Sequence, residues 1–143
     1  MPSISISHKF TLRQNDYKFL LPVRFCNPHN GVCSQVWECL LDTGAHTSVI
    51  PEYISTDAGH SLMDGIGGAT LDAAWGDSQQ TYHHNFIVEI MDRDFRTVLH
   101  TLPCAIFDCT AGITHEPILG ADNFLKHFRI EFDYPSETVT LHW

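Results

Sequence analysis

The chain has 143 residues, with 17 acidic and 8 basic side chains, a formal net charge of −9 and a hydrophobic fraction of 43%. That length suits one domain, and the apolar fraction is that of a packed chain rather than a disordered one. The acidic balance argues against nucleic acid and anionic membrane surfaces as partners, because both are held mainly through Lys and Arg.

The N-terminus, Met1 to Phe10, has no apolar stretch of signal-peptide length. No run approaches the ~20 apolar residues of a membrane-spanning helix. A cytoplasmic protein is the expectation. The cysteines are Cys26, Cys33, Cys39, Cys104 and Cys109. Their number is odd and the chain is not a short secreted one, so reduced thiols are expected.

Taken in chain order, Ile4, Ile6 and His8 alternate with Ser3, Ser5 and Ser7, the period of a strand. Tyr17 to Phe25 and Val36 to Leu41 are apolar runs separated by the turn residues Asn27-Pro28-His29-Asn30-Gly31. Further turns are marked by Asp64-Gly65 with Gly67-Gly68 and by Gly76-Asp77-Ser78. Asn85 to Met91, Thr97 to Leu102 and Cys104 to Phe107 read as strands. Ala121 to Phe128 reads as a helix, begun by Gly120 or Asp122, with Phe124, Leu125 and Phe128 at helical spacing. Arg129 to Tyr134 and Thr138 to Trp143 flank Pro135-Ser136-Glu137, a hairpin signal. Many short strands and one short late helix predict an all-β fold. The expected form is a single domain over 1–143, a closed, mostly antiparallel β-barrel with a short C-terminal helix.

Three stretches carry chemical signals. In Leu40-Leu41-Asp42-Thr43-Gly44-Ala45-His46-Thr47-Ser48-Val49-Ile50, a carboxylate ends an apolar strand. A lone buried acid is costly. Gly44 permits a tight turn whose N–H groups reach that acid, and Thr43 and Ser48 add hydroxyls. In Met63-Asp64-Gly65-Ile66-Gly67-Gly68, the glycines suit a flexible hairpin tip with Ile66 as its apolar tooth. No Gly-Lys-Ser/Thr follows, so it is not a phosphate loop. In Pro117-Ile118-Leu119-Gly120-Ala121-Asp122-Asn123-Phe124-Leu125, a strand breaks at a glycine and a helix begins.

In this order and spacing, the three stretches resemble those of the retropepsin-like aspartic proteases. The resemblance implies the acid-protease fold and hydrolysis of peptide bonds in a peptide or protein substrate. It assigns Asp42, Thr43 and Gly44 to catalysis, and Ala45, Gly65, Ile66 and Gly67 to substrate binding under a flap at 63–68. It also implies that the 117–125 stretch packs behind the catalytic loop. The chain has one Asp-Thr-Gly, whereas this chemistry needs two carboxyl groups around one water. A homodimer with Asp42 at its two-fold axis is therefore expected, with residues 3–8 and 138–143 as candidate edges for pairing between copies.

This chain departs from the family at His46 and Thr47, where viral enzymes often carry acids. Ala45 offers no hydroxyl to the carboxylate, which points to a less acidic working pH than in pepsin-like enzymes. Leu71 to His115 is longer than in compact viral forms, and Trp75 to Tyr82 is either an inserted loop or part of a longer flap. No metal or cofactor is expected. His83-His84 and the Cys104-x4-Cys109 pair match neither Cys-x-x-Cys nor His-Glu-x-x-His spacing. Two functions fit: an active dimeric endopeptidase, or a catalytically silent dimer of the same fold that binds peptides or acts as a scaffold.

Overall fold

The computed structural model describes residues 2–7, 9–11, 16–65, 67–72, 78–112 and 115–143. The strands in chain order are β1 (Ser3–Ser7), β2 (Lys9–Thr11), β3 (Asp16–Lys18), β4 (Leu20–Cys26), β5 (Cys33–Leu41), β6 (Val49–Pro51), β7 (Gly67–Asp72), β8 (Ser78–Met91), β9 (Val98–Thr110), β10 (Ile118–Leu119), β11 (Arg129–Asp133) and β12 (Thr138–His142). One α-helix, α1 (Glu52–Asp57), and two 3-10 turns, Leu62–Asp64 and Leu125–His127, complete the described elements. None of these helices is long and apolar enough to cross a membrane.

The main sheet has seven strands in the order β4-β5-β10-β6-β9-β8-β7, and β8 also pairs with β4. The pairings β4–β5–β10–β6–β9–β8–β4 thus run in a ring, the all-β architecture expected. Its interior is packed by the rings of Phe25, Phe86 and Phe107, each fully buried. They meet edge to face at centroid distances of 5.6 to 6.0 Å. β4 is buried almost continuously because both of its edges are paired and its side chains meet this core. The two strand runs on either side of Pro103 form a single strand, β9. Phe86 faces Ala105 and Val88 faces Leu102, so Ile87 opposes both Pro103 and Cys104. Such a bulge accommodates a residue that has no N–H to give the ladder.

The expected helix over 121–128 is realised differently. Residues 121–124 are turn, followed by the 3-10 turn Leu125–His127. The N–H groups of Ala121 and Asp122 are drawn instead to the carbonyls of Ala45 and His46, at 2.9 and 2.8 Å. Phe124 leaves helical dihedrals at φ −136°, with its ring fully buried beside Phe128 at 5.0 Å. The α-helix is α1, which was not anticipated. It spans six residues after Pro51, too few for a periodic pattern to stand out.

A second sheet, β1-β12-β11, is built from the chain ends. β12 is its middle strand and is paired on both sides, so it is no edge, contrary to expectation. Trp143 N–H donates to the Pro2 carbonyl at 3.1 Å. By strand alternation, Ser5 then faces Thr140 as a pair that exchanges no backbone bonds, and its C=O points to the outer side of β1. Arg93 covers that outer side, its Nε donating to the Ser5 carbonyl at 3.0 Å. The same alternation turns the backbone groups of Ile130 and Phe132 toward the open side of β11.

The cysteines also depart from expectation, since Cys26 and Cys33 are joined by a disulfide. The β4–β5 register sets them directly opposite one another across the Asn27–Gly31 turn. Cys39, Cys104 and Cys109 are free.

Candidate active site

Asp42 follows the last residue of β5, and its backbone is tied from both sides. Leu41 N–H donates to the Phe19 carbonyl at 3.0 Å, and Asp42 N–H donates to the Leu119 carbonyl at 3.1 Å. The chain then turns, with Ala45 N–H on the Asp42 carbonyl at 3.2 Å. Gly44 N–H donates to Asp42 Oδ1 at 2.9 Å and so fixes the carboxylate. A Cβ at Gly44 would lie 3.3 Å from that oxygen and crowd it. Asp42 is half-buried, while Thr43 and Gly44 are exposed.

The 117–123 stretch clamps this loop from behind. β10 runs parallel to the end of β5 and antiparallel to β6. Ser48, fully buried, accepts the Gly120 N–H at its Oγ, 2.8 Å away. Asn123 Oδ1 accepts the Ser48 N–H at 2.8 Å, and Asn123 Nδ2 donates to the Ile106 carbonyl at 2.7 Å. A Cβ at Gly120 would stand 2.2 Å from the Thr47 carbonyl oxygen. The Asp42-loop and Gly120 motifs, far apart in sequence, thus form one unit.

A cleft of about 290 Å³ opens at Asp42, lined by Phe19, Leu40, Leu41, Thr43, Phe132 and Tyr134. Its aromatic rim is self-supporting: Phe19 meets Phe132 at 5.6 Å and Tyr134 at 6.3 Å. Strand reading identified 129–134 but gave no sign that its aromatic residues border Asp42.

The glycine-rich stretch is not at a hairpin turn. Gly65 follows the first 3-10 turn, Ile66 lies outside the described residues, and Gly67 opens β7 opposite His83. β7 and β8 form an antiparallel hairpin out to Asp72 and Ser78. Gly65 and Gly67 therefore belong to its base. The joining segment 73–77, which includes Trp75, lies outside the described residues.

Two further polar clusters emerge only from the fold, the first joined to the Asp42 loop through Thr47. Asp108 is buried on β9, where its Oδ2 accepts Thr47 Oγ1–H at 2.8 Å and its Oδ1 meets His83 Nε2 at 2.6 Å. An acid inside the apolar run Ile106 to Cys109 was the available signal, since buried acids need partners. Next to the hairpin base, the rings of His60 and His84 lie 4.6 Å apart. His60 Nε2 faces the Asn85 carbonyl at 3.0 Å and His84 Nε2 the Leu62 carbonyl at 2.9 Å. Burial, and then the neighbouring His84, push the His60 pKa below the usual histidine value.

No protein-family model matches this sequence, and no curated protein does either. Among solved structures, the chain is similar to the crystal structure of a retropepsin-like aspartic protease from Rickettsia conorii. The TM-score is 0.65, with 16% sequence identity, over 99% of each chain. At that identity the likeness establishes a retropepsin-like fold.

Proposed function

We propose that this chain is an aspartic endopeptidase whose active unit is a homodimer, with Asp42 of each copy facing one shared water. The observation that carries this reading is the Asp42 carboxylate itself. It is held by the Gly44 N–H at the mouth of a cleft, in a loop clamped by the Gly120 stretch of a retropepsin-like fold. The ionised carboxylate takes the water's proton, and the protonated one donates to the scissile carbonyl. Two carboxylates about 3 Å apart hold one proton between them, the general rule for aspartic-protease dyads. Thr43 and Gly44 shape the turn, and Ala45 lies beside the bound peptide. The β7–β8 hairpin, entered through Gly65, Ile66 and Gly67, serves as the flap that excludes water from an extended peptide.

The dimer is read as forming through β11. β12 is paired on both sides and Arg93 covers β1, whereas β11 pairs with β12 alone among the described strands. Phe132 on β11 and Tyr134 beyond it border the Asp42 cleft. Two β11 strands paired antiparallel about Ile130 would set Arg129 of each copy opposite Glu131 of the other, a favourable charge register.

The test is an Asp42→Asn variant assayed on a peptide library from about pH 3 to about pH 7, spanning carboxyl titration. Cleavage should fall by a factor on the order of 10²–10⁴ or more, while sedimentation shows the dimer unchanged. Turnover retained by the variant sinks the peptidase reading. So does wild-type protein that cleaves nothing across that range, leaving a peptide-binding dimer.

A further inference from the structure

At the end of β5 remote from Asp42, three metal-ligating side chains converge. Cys26 closes β4, Cys33 opens β5, and Glu89 reaches over from β8. The two Sγ atoms and a carboxylate oxygen all lie within 4.8 Å of one another. Cys26 is buried and Cys33 is exposed. Glu89 stands opposite Arg24, whose Nη2 lies 3.0 Å from its Oε2. The other oxygen, Oε1, is 2.9 Å from Cys26 Sγ.

That last contact distinguishes the two redox states. A sulfur in a disulfide has no proton, so it gives Oε1 nothing to accept. A Cys26 thiol would donate to it, and a cation between them would satisfy both. Two thiolates and a carboxylate form a soft, zinc-type donor set. Tetrahedral zinc with bonds of about 2.0–2.3 Å holds its ligands roughly 3.5 Å apart, so the two sulfurs, bonded in the oxidised state, part on reduction, and side-chain rotations seat three ligand atoms that already lie within 4.8 Å of one another. The charges also balance: Zn²⁺, two thiolates, one carboxylate and the Arg24 guanidinium sum to zero.

We propose that Cys26, Cys33 and Glu89 form a redox-gated zinc site, of which the disulfide is the oxidised, metal-free state. A cellular dithiol reduces the bond with two electrons and two protons and is itself oxidised to a disulfide. Zn²⁺ then displaces the two thiol protons, which leave to solvent. The fourth position goes to water beside the exposed Cys33, as in zinc sites with three protein ligands. Cys33 precedes Asp42 by nine residues, roughly 25–30 Å along a strand. The ion therefore pins the β4–β5 hairpin rather than touching the catalytic water, and the proposal stands or falls independently of the peptidase reading.

The experiment uses the full chain, reduced with a phosphine, freed of reductant under anaerobic conditions and titrated with zinc against a chromogenic chelator. About one zinc per chain should bind, with two protons released and a raised melting temperature. The air-oxidised chain should bind none. Cys33→Ser should abolish the tight site and Glu89→Gln should weaken it at least ~10-fold, with circular dichroism confirming that both are folded. Cys104→Ser should leave it intact. Cobalt in place of zinc should show thiolate-to-metal charge-transfer absorption that Cys33→Ser loses. Zinc affinity equal in the reduced wild type and in Cys33→Ser, or unchanged by Glu89→Gln, overturns the proposal. So does a tight site that depends on Cys104.

Discussion

Gly120 lacks a side chain because the Thr47 carbonyl occupies the space a Cβ would need. Gly120→Ala should therefore push the Asp42 loop away from its clamp and weaken the bond from Gly120 N–H to Ser48. Overpacking of this kind costs about 1–3 kcal/mol. It should be read as a lower urea midpoint with an unchanged slope, and a midpoint equal to wild type would refute the clamp's tightness. The residues of the Asp42 turn were legible because they are contiguous: the carboxylate, the turn glycine and the hydroxyls lie within a few positions. Asp108 was not, because its contacts are made by the fold. Its bond to Thr47 spans 61 residues, and no local spacing encodes that distance.

Among elements, the legible ones were those with local causes. The Asn27–Gly31 turn formed as read, with His29 N–H on Asn27 Oδ1 at 2.8 Å and Gly31 at φ +73°. The terminal hairpin also formed, as β11 and β12. The late helix was misjudged because its first N–H groups bond to the Asp42 loop, a competition that helical periodicity does not register. The glycine-rich stretch was read as a hairpin tip rather than a base because glycines mark both the tips and the bases of hairpins. His60 beside that base makes the element sensitive to pH. Its folded pKa is depressed, so the unfolded chain binds its proton first as pH falls. The stability it contributes is complete above the unfolded value near 6.5 and is lost as pH falls toward the lower folded one. The melting temperature should drop between neutral and mildly acidic pH, and His60→Gln should flatten that drop. An equal slope in both proteins would show that His60 is not responsible.

For the whole molecule, fold class followed from many short strands and few helical signals. Strand order did not, because the ring of pairings joins strands far apart in the chain. The Cys26–Cys33 bond was missed for the same reason, since register rather than cysteine number brought the sulfurs together. If β11 carries the dimer, Phe132→Asp should place a charge on that contact. Sedimentation should then show dimerisation weakened by no less than 10-fold in association constant, about 1.4 kcal/mol, with the monomer still folded. A dimer of undiminished strength would move the interface elsewhere. Arg93 bears on how such an assembly ends. A sheet open on two sides can add copies indefinitely, which is how strand edges lead to fibres. With the Ser5 carbonyl of β1 taken by Arg93, β11 is the freer side of this sheet among the described residues. A building block with a single reactive end can pair but cannot polymerise, so a side chain in the β8–β9 turn would act as a chain stop that limits growth to two copies.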